Sequence, residues 1–147
     1  MPRAARRIAR LARAAPTHPY HLGMTTVDAL TARARDDPSV LAVLLFGSHA
    51  RGEAIRGSDV DVCLVVDASV EDPTDLRLAY LSRYDADVHV FQQLPLYVRV
   101  RILKDHVPLL VKDEDAFYEL AIRTVREFED FRPYYDRYLE AVADGRP

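Results

Sequence analysis

Residues 40–48 read VLAVLLFGS and residues 59–66 read DVDVCLVV, and these two segments carry the strongest structural signal in the chain. The apolar run Val40–Phe46 predicts a buried β-strand. The second segment predicts another strand, over residues 59–66, that begins with two carboxylates separated by a valine. A polar turn after the first strand therefore meets the start of the second, and we expect a functional site between them.

The residue types in this turn suit a phosphorylated ligand and a metal ion. Gly47 has no side chain, so the backbone can approach a bulky anion closely. Ser48 stands where a helical turn should begin, with free N–H groups and a hydroxyl available to phosphate. Asp59 and Asp61, two apart on a strand, are expected to share one face about 7 Å apart. Both carboxylates could then reach one or two divalent cations.

The spacing of these motifs resembles the signature of the DNA polymerase beta nucleotidyltransferase superfamily. The pattern is GS at residues 47–48, ten intervening residues, then DVD at 59–61. The segment Ala50-Arg51-Gly52, together with Ser58, makes the chain similar to the small MNT-type nucleotidyltransferases in particular. An isolated Asp-x-Asp is weak evidence, but its combination with Gly-Ser between two apolar segments is much more specific. The resemblance is strong over residues 40–66 and weaker through residues 87–90 to the C-terminal helix.

The resemblance implies a set of site residues and cofactors. Asp59, Asp61 and a third carboxylate on a neighbouring strand would bind Mg²⁺, with two ions expected, and ATP would be the substrate. Asp87 fits the third position, where it would hold the catalytic metal and act as base or orient the nucleophile. Asp85 would lie on the same face of the predicted strand as Asp87 and is the alternative third carboxylate, although it follows a predicted turn.

Phosphate contacts are also implied by the resemblance. Gly47 and Ser48 would bind the β- and γ-phosphates of the nucleotide. Arg51 could assist them, or could form an ion pair with Glu53, and the sequence leaves both possibilities open.

The expected activity is transfer of AMP from ATP to a hydroxyl group. MNT proteins are commonly encoded beside HEPN-domain partners, so the resemblance implies an antitoxin that modifies a tyrosine of a HEPN-type ribonuclease toxin. Two alternatives remain open. One is a small-molecule transferase similar to aminoglycoside nucleotidyltransferases, and the other is an antitoxin that masks its partner without chemistry.

Composition narrows the class of protein. A chain of 147 residues with 49% apolar content can form one domain with a sizeable core. It contains no long uncharged apolar run of the kind that spans a membrane. The formal charge is −3, and the acidic body argues against direct binding to nucleic acid. The single cysteine, Cys63, suits a reducing compartment, so we expect the cytoplasm.

The first 23 residues differ from the rest of the chain. They hold five arginines and no acidic residue, and Pro16 and Pro19 interrupt them. Such composition resembles an organelle presequence or an anion-binding arm. We favour a disordered extension, or sequence upstream of a true start at Met24. The predicted nucleotidyltransferase domain is therefore residues 24–147.

The remaining pattern predicts an α/β (α+β) fold in which a small mixed sheet packs against helices. Helical periodicity is expected from Thr25 or Thr26 to about Arg35, and a final helix is expected after an Asp113 cap, kinked or broken at Pro133. Between them we predict a helix over residues 73–84, a strand over 85–91, a helix over 95–104 and an edge strand over 107–111.

Several other residues have simpler interpretations. His49 is predicted to be a loop residue and His89 a hydrogen-bonded histidine near the sheet, with no spacing that suggests zinc. Cys63 is predicted to be core. The tyrosines at 134, 135 and 138 could stack on a base or face a partner, but more simply they cover the end of a small domain.

Overall fold

Helices alternate with short strands over the part of the chain that the computed structural model describes, residues 24–54 and 59–145. The predicted N-terminal extension (1–23) and residues 55–58 lie outside the described residues. The elements in order are α1 (Met24–Asp36), β1 (Val40–Phe46), α2 (Gly47–Ala50), β2 (Asp61–Val66), α3 (Thr74–Arg83), β3 (Asp87–Val90), a 3-10 turn (Phe91–Gln93), α4 (Leu96–Asp105), β4 (Val107–Val111) and α5 (Glu114–Ala143). None of the described helices has the length and apolarity needed to cross a bilayer.

The four strands form one mixed sheet in the order β3-β2-β1-β4. β1 pairs antiparallel with β2 and β4, and β2 pairs parallel with β3. β4 lies at the edge, as the proline at position 108 predicted. The sequence prediction of an α/β fold with a small mixed sheet is confirmed.

Each face of the sheet is covered by two helices because the strand residues alternate between two apolar clusters. α1 and α3 pack on one face, where Leu30 and Tyr80 meet Val62. α4 and the first half of α5 pack on the other, where Ile102 and Phe117 belong to the cluster around Cys63. Cys63 is fully buried, which confirms its predicted place in the core.

Two predicted strands are longer than the observed ones. β2 begins at Asp61 and not at residue 59, because Phe46 pairs with Asp61 and the chain then turns into α2 at Gly47. No β1 residue remains opposite Asp59, so the prediction that both aspartates lie on the strand is wrong. β3 covers Asp87–Val90 and not 85–91, since the chain tightens into a 3-10 turn at Phe91.

The last helix also differs from the prediction. Asp113 caps it as expected, accepting a hydrogen bond from the Ala116 N–H at 3.0 Å. Pro133, however, lies inside a continuous helix and does not break it. This half of α5 is largely exposed, so water can solvate the carbonyl that loses its partner to the proline.

Candidate active site

Parallel pairing of β2 with β3 brings two predicted carboxylates together. Asp61 and Asp87 are register partners at the first positions of these strands. With His89 they form a cluster in which one donor atom from each residue lies within 4.8 Å of the others. Asp61 and His89 are half-buried and Asp87 is exposed, so the cluster opens to solvent at the edge of the sheet.

His89 is fixed from two sides. Its Nε2 lies 3.1 Å from Oδ2 of Asp87. Its ring meets the ring of Phe46 edge to face, with centroids 5.6 Å apart. The imidazole therefore orients the Asp87 carboxylate, as a hydrogen-bonded neighbour of a ligand commonly does. No functional role was predicted for His89 from the sequence, although strand parity places it on the same face as Asp87.

The electrostatics of the cluster centre on Asp61. Burial raises the pKa of this carboxyl, and the nearby Asp87 carboxylate raises it further. His89 acts in the opposite direction, and the charge of Asp59 adds a smaller rise. Like charges held close together disfavour ionisation. A bound cation would relieve that repulsion.

Gly47 adjoins this cluster, at a position that strongly favours glycine. Its φ is +73°, a conformation that side chains rarely adopt. A Cβ atom there would also collide with Oδ2 of Asp61. The glycine of the motif therefore lets β1 turn directly beside the carboxylate.

Ser48 and Arg51 extend the site along the turn. Ser48 is half-buried in α2, and its carbonyl accepts the Glu53 N–H at 2.9 Å. Arg51 Nε contacts Oε2 of Glu53 at 3.0 Å, with both side chains substantially exposed. Such an exposed pair contributes only about 0–1 kcal/mol, so it does little to hold the guanidinium away from a ligand.

The other predicted carboxylates lie outside this cluster of described residues. Asp59 is exposed and precedes β2, although its charge is felt at Asp61. Asp85, the rival for the third position, is exposed in the bend before β3. Between Asp85 and Asp87, the two candidates for the third carboxylate, it is Asp87 that faces Asp61. His49 lies in α2 and not in a loop, which corrects its predicted place.

The donor set fits a hard divalent cation. Two carboxylates supply oxygen ligands of the kind that Mg²⁺ prefers. Imidazole nitrogen suits softer transition metals better, but His89 Nε2 is already engaged with Asp87. The oxygens of Asp61 and Asp87 are therefore the better candidates for direct ligands.

Comparison with known proteins places the chain in a family. The profile of the nucleotidyltransferase domain matches residues 28–114, more than half of the chain. A Methanocaldococcus jannaschii protein named as a protein adenylyltransferase is 37% identical over 67 residues, which are 46% of this chain and 52% of the relative. The chain thus spans about half the length of that relative.

Solved structures share the fold. A chain from a toxin–antitoxin crystallised with AMP-PNP superposes with a TM-score of 0.62 at 19% identity, covering 83% of this chain and 99% of that chain. A chain from the complex of a tri-AMPylated Shewanella oneidensis HEPN toxin with its MNT antitoxin gives a TM-score of 0.56 at 15% identity, covering 83% and 97%. The family expected from the Gly-Ser and Asp-x-Asp motifs is confirmed: this chain belongs to the nucleotidyltransferase domain family.

Proposed function

We propose that this chain is a Mg²⁺-dependent nucleotidyltransferase that moves AMP from ATP to a hydroxyl group. The observation that carries the proposal is the pairing of Asp61 with Asp87 beside Gly47, where a Cβ atom would collide with the Asp61 carboxylate. Family membership and the name of the M. jannaschii relative support the same reaction.

The residues take distinct roles in this proposal. The acceptor oxygen attacks the α-phosphorus and gives its proton to the Asp87 carboxylate, the new O–P bond forms, and the bond from the α-phosphorus to the bridging oxygen breaks to release pyrophosphate. Asp87, oriented by His89, holds or orients the attacking hydroxyl. Asp61 and Asp87 would bind Mg²⁺, which when bound supplies charge neutralisation for the reacting phosphates. Exposed Asp59 is available to a second ion, and Gly47, Ser48 and Arg51 would contact the β- and γ-phosphates.

The acceptor in this proposal is a tyrosine of a HEPN-type toxin, which the chain would silence as a cytoplasmic antitoxin. Two solved structures that share the fold come from toxin–antitoxin complexes, one of which contains an AMPylated HEPN toxin. The nucleotide site occupies this small domain, so in this proposal the acceptor hydroxyl belongs to a partner subunit.

The test is incubation of the purified chain with α-labelled ATP and Mg²⁺, in parallel with the product of the neighbouring gene and with a panel of aminoglycosides. Label on a partner tyrosine, lost when a chelator removes the metal and restored by added Mg²⁺, is the expected result. Label on an aminoglycoside would instead identify a small-molecule transferase. A stable complex without label, under conditions where the chain binds ATP, would identify an antitoxin that only masks its partner.

A further inference from the structure

A small cavity lies between the turn after β1 and helix α4. Its volume is about 220 Å³, and Gly47 and Arg51 line one side while Val98, Arg101 and Ile102 line the other. Sites for a whole small-molecule ligand usually occupy about 300–1,000 Å³. The cavity is therefore sized for part of a nucleotide, with the rest lying outside it.

The charges in the cavity favour an anion. Arg51 and Arg101 approach it from two different elements. Within the described part of the chain Arg101 forms no ion pair, and it is exposed on α4. Asp105, one turn further along α4, also lines the cavity and leaves a net charge of one positive unit among these three side chains. Guanidinium groups present paired donors that match phosphate oxygens.

The cavity and the carboxylate cluster adjoin one another at Gly47. This glycine lines the cavity and lies so close to Asp61 that no Cβ could be accommodated between them. A triphosphate whose α-phosphate stands at Asp61 and Asp87 can thus extend past Gly47 towards both arginines. Val98 and Ile102 line the remaining side with apolar surface, and lowered local polarity strengthens a charge-assisted hydrogen bond.

We propose that Arg101 is a substrate-binding residue that contacts the β- and γ-phosphates of ATP and, after transfer, the pyrophosphate. This inference rests on the proposed nucleotidyltransferase function and adds a helix α4 residue that lies outside the Gly-Ser and Asp-x-Asp motifs. When the α-phosphorus bond breaks, its electron pair leaves with pyrophosphate. Arg101 faces the negative charge that develops on that group.

The experiment compares Arg101→Gln with Lys104→Gln, which removes one positive charge from the same exposed stretch of α4 without lining the cavity. Binding of a non-hydrolysable ATP analogue, AMP and inorganic pyrophosphate is measured by titration calorimetry with Mg²⁺ present. Arg101→Gln should weaken binding of the ATP analogue and pyrophosphate about tenfold or more, the loss expected for one charged hydrogen bond, and leave AMP binding within about twofold. Lys104→Gln should bind all three like the wild type, and Arg101→Lys should restore part of the affinity.

The outcomes separate this inference from the proposed function. If the wild type binds the ATP analogue and Arg101→Gln binds it equally well, the role of Arg101 is wrong while the transferase proposal stands. An equal loss of affinity for AMP and the ATP analogue would also overturn it, since AMP has no β- or γ-phosphate and its binding should not depend on a contact with them. Failure of the wild type to bind any of the three would refute both proposals together. Thermal unfolding of each variant confirms that the comparison is made between folded proteins.

Discussion

The two ends of strand β2 carry aspartates in opposite environments. Asp61, at its start, is half-buried and faces Asp87, and burial together with that neighbour raises its pKa. Asp67, directly after its end, is also half-buried but accepts hydrogen bonds from the Ser69 N–H at 2.9 Å and the Ser69 hydroxyl at 2.7 Å. These bonds lower the pKa of Asp67. Burial and a like charge thus disfavour ionisation of Asp61, whereas Asp67 is stabilised as a carboxylate by the donors of its turn.

The same contrast extends to the surroundings of each end. A larger cavity, about 720 Å³, lies at the Asp67 end and contains several acidic residues. Asp72 there accepts the Thr74 N–H and hydroxyl, and Asp113 caps α5 by accepting the Ala116 N–H. These carboxylates are used locally to form turns and caps. Neither cavity size nor the number of acids therefore distinguishes the candidate site; two carboxylates that face one another across paired strands do.

Asp61→Asn against Asp67→Asn is the strongest test of this contrast. Loss of a carboxylate that is proposed to bind the metal should reduce the proposed adenylyl transfer by about 10²–10⁴-fold, because the metal and general-base contributions would both depend on this cluster. Asp61→Asn should unfold at the same or a higher denaturant concentration than the wild type, since the raised pKa means that the charged carboxylate is disfavoured in the fold. Asp67→Asn retains an acceptor oxygen for Ser69 and should keep full activity. Equal activity losses in the two variants would refute the distinction between the ends.

Gly47→Ala against Gly52→Ala separates backbone strain from the carboxylate contact. Both glycines have positive φ, +73° and +70°, so each substitution should cost about 1–2 kcal/mol of stability. Only a Cβ at Gly47 meets Asp61, because nothing lies within 4 Å of one at Gly52. Displacement of a reacting group by an ångström can cost about 10²-fold in rate. We expect that loss of kcat in Gly47→Ala alone, measured beside urea unfolding of both variants.

A matching loss of kcat in Gly52→Ala would show that the turn as a whole, and not its contact with Asp61, limits activity. A fully active Gly47→Ala would mean that Asp61 can move away from the turn without consequence. The proposed role of Asp61 would then be wrong.

Much of this architecture follows from patterns within single segments. The apolar run of β1, the Asp113 cap and the helical spacing of α5 are local signals, and the sheet and helices predicted from them are present. The place of Gly47 in the turn at the candidate site was predicted from the motif alone. Its contact with Asp61 explains in physical terms why the motif requires it.

What the sequence could not provide was the register between segments. Whether Asp59 lies on β2 depends on where β1 ends opposite it, and His89 meets Asp87 and Phe46 only after three strands have paired. Arg101 carries no motif and joins the turn after β1 only through the packing of α4. Such relations depend on tertiary structure, which local propensity does not encode.

His106 sharpens the contrast from another direction, because it is buried with an unsatisfied atom but no charged side chain of the described residues contributes to the shift of its pKa. The side chain is 2% exposed, between the end of α4 and the ring of Phe117. Its Nδ1 lies 3.0 Å from the Ile102 carbonyl and 3.1 Å from that of Leu103, so this nitrogen carries the hydrogen. Nε2 has no hydrogen-bond partner among the described residues.

Protonation of His106 should therefore affect stability and not catalysis. Burial lowers the pKa of His106 in the folded protein, whereas the unfolded chain takes up the proton near the ordinary value of about 6.5. The unfolded state then binds more protons as the pH falls below that value, so the free energy of unfolding should decrease between pH 7 and pH 5. Urea unfolding at several pH values should show a shallower decrease in His106→Asn, whose activity at pH 7.5 should match the wild type. An unchanged pH dependence in the variant would show that other groups cause the acid sensitivity. A large loss of activity would show that His106 is itself a functional residue, although no charged side chain contributes to the shift of its pKa.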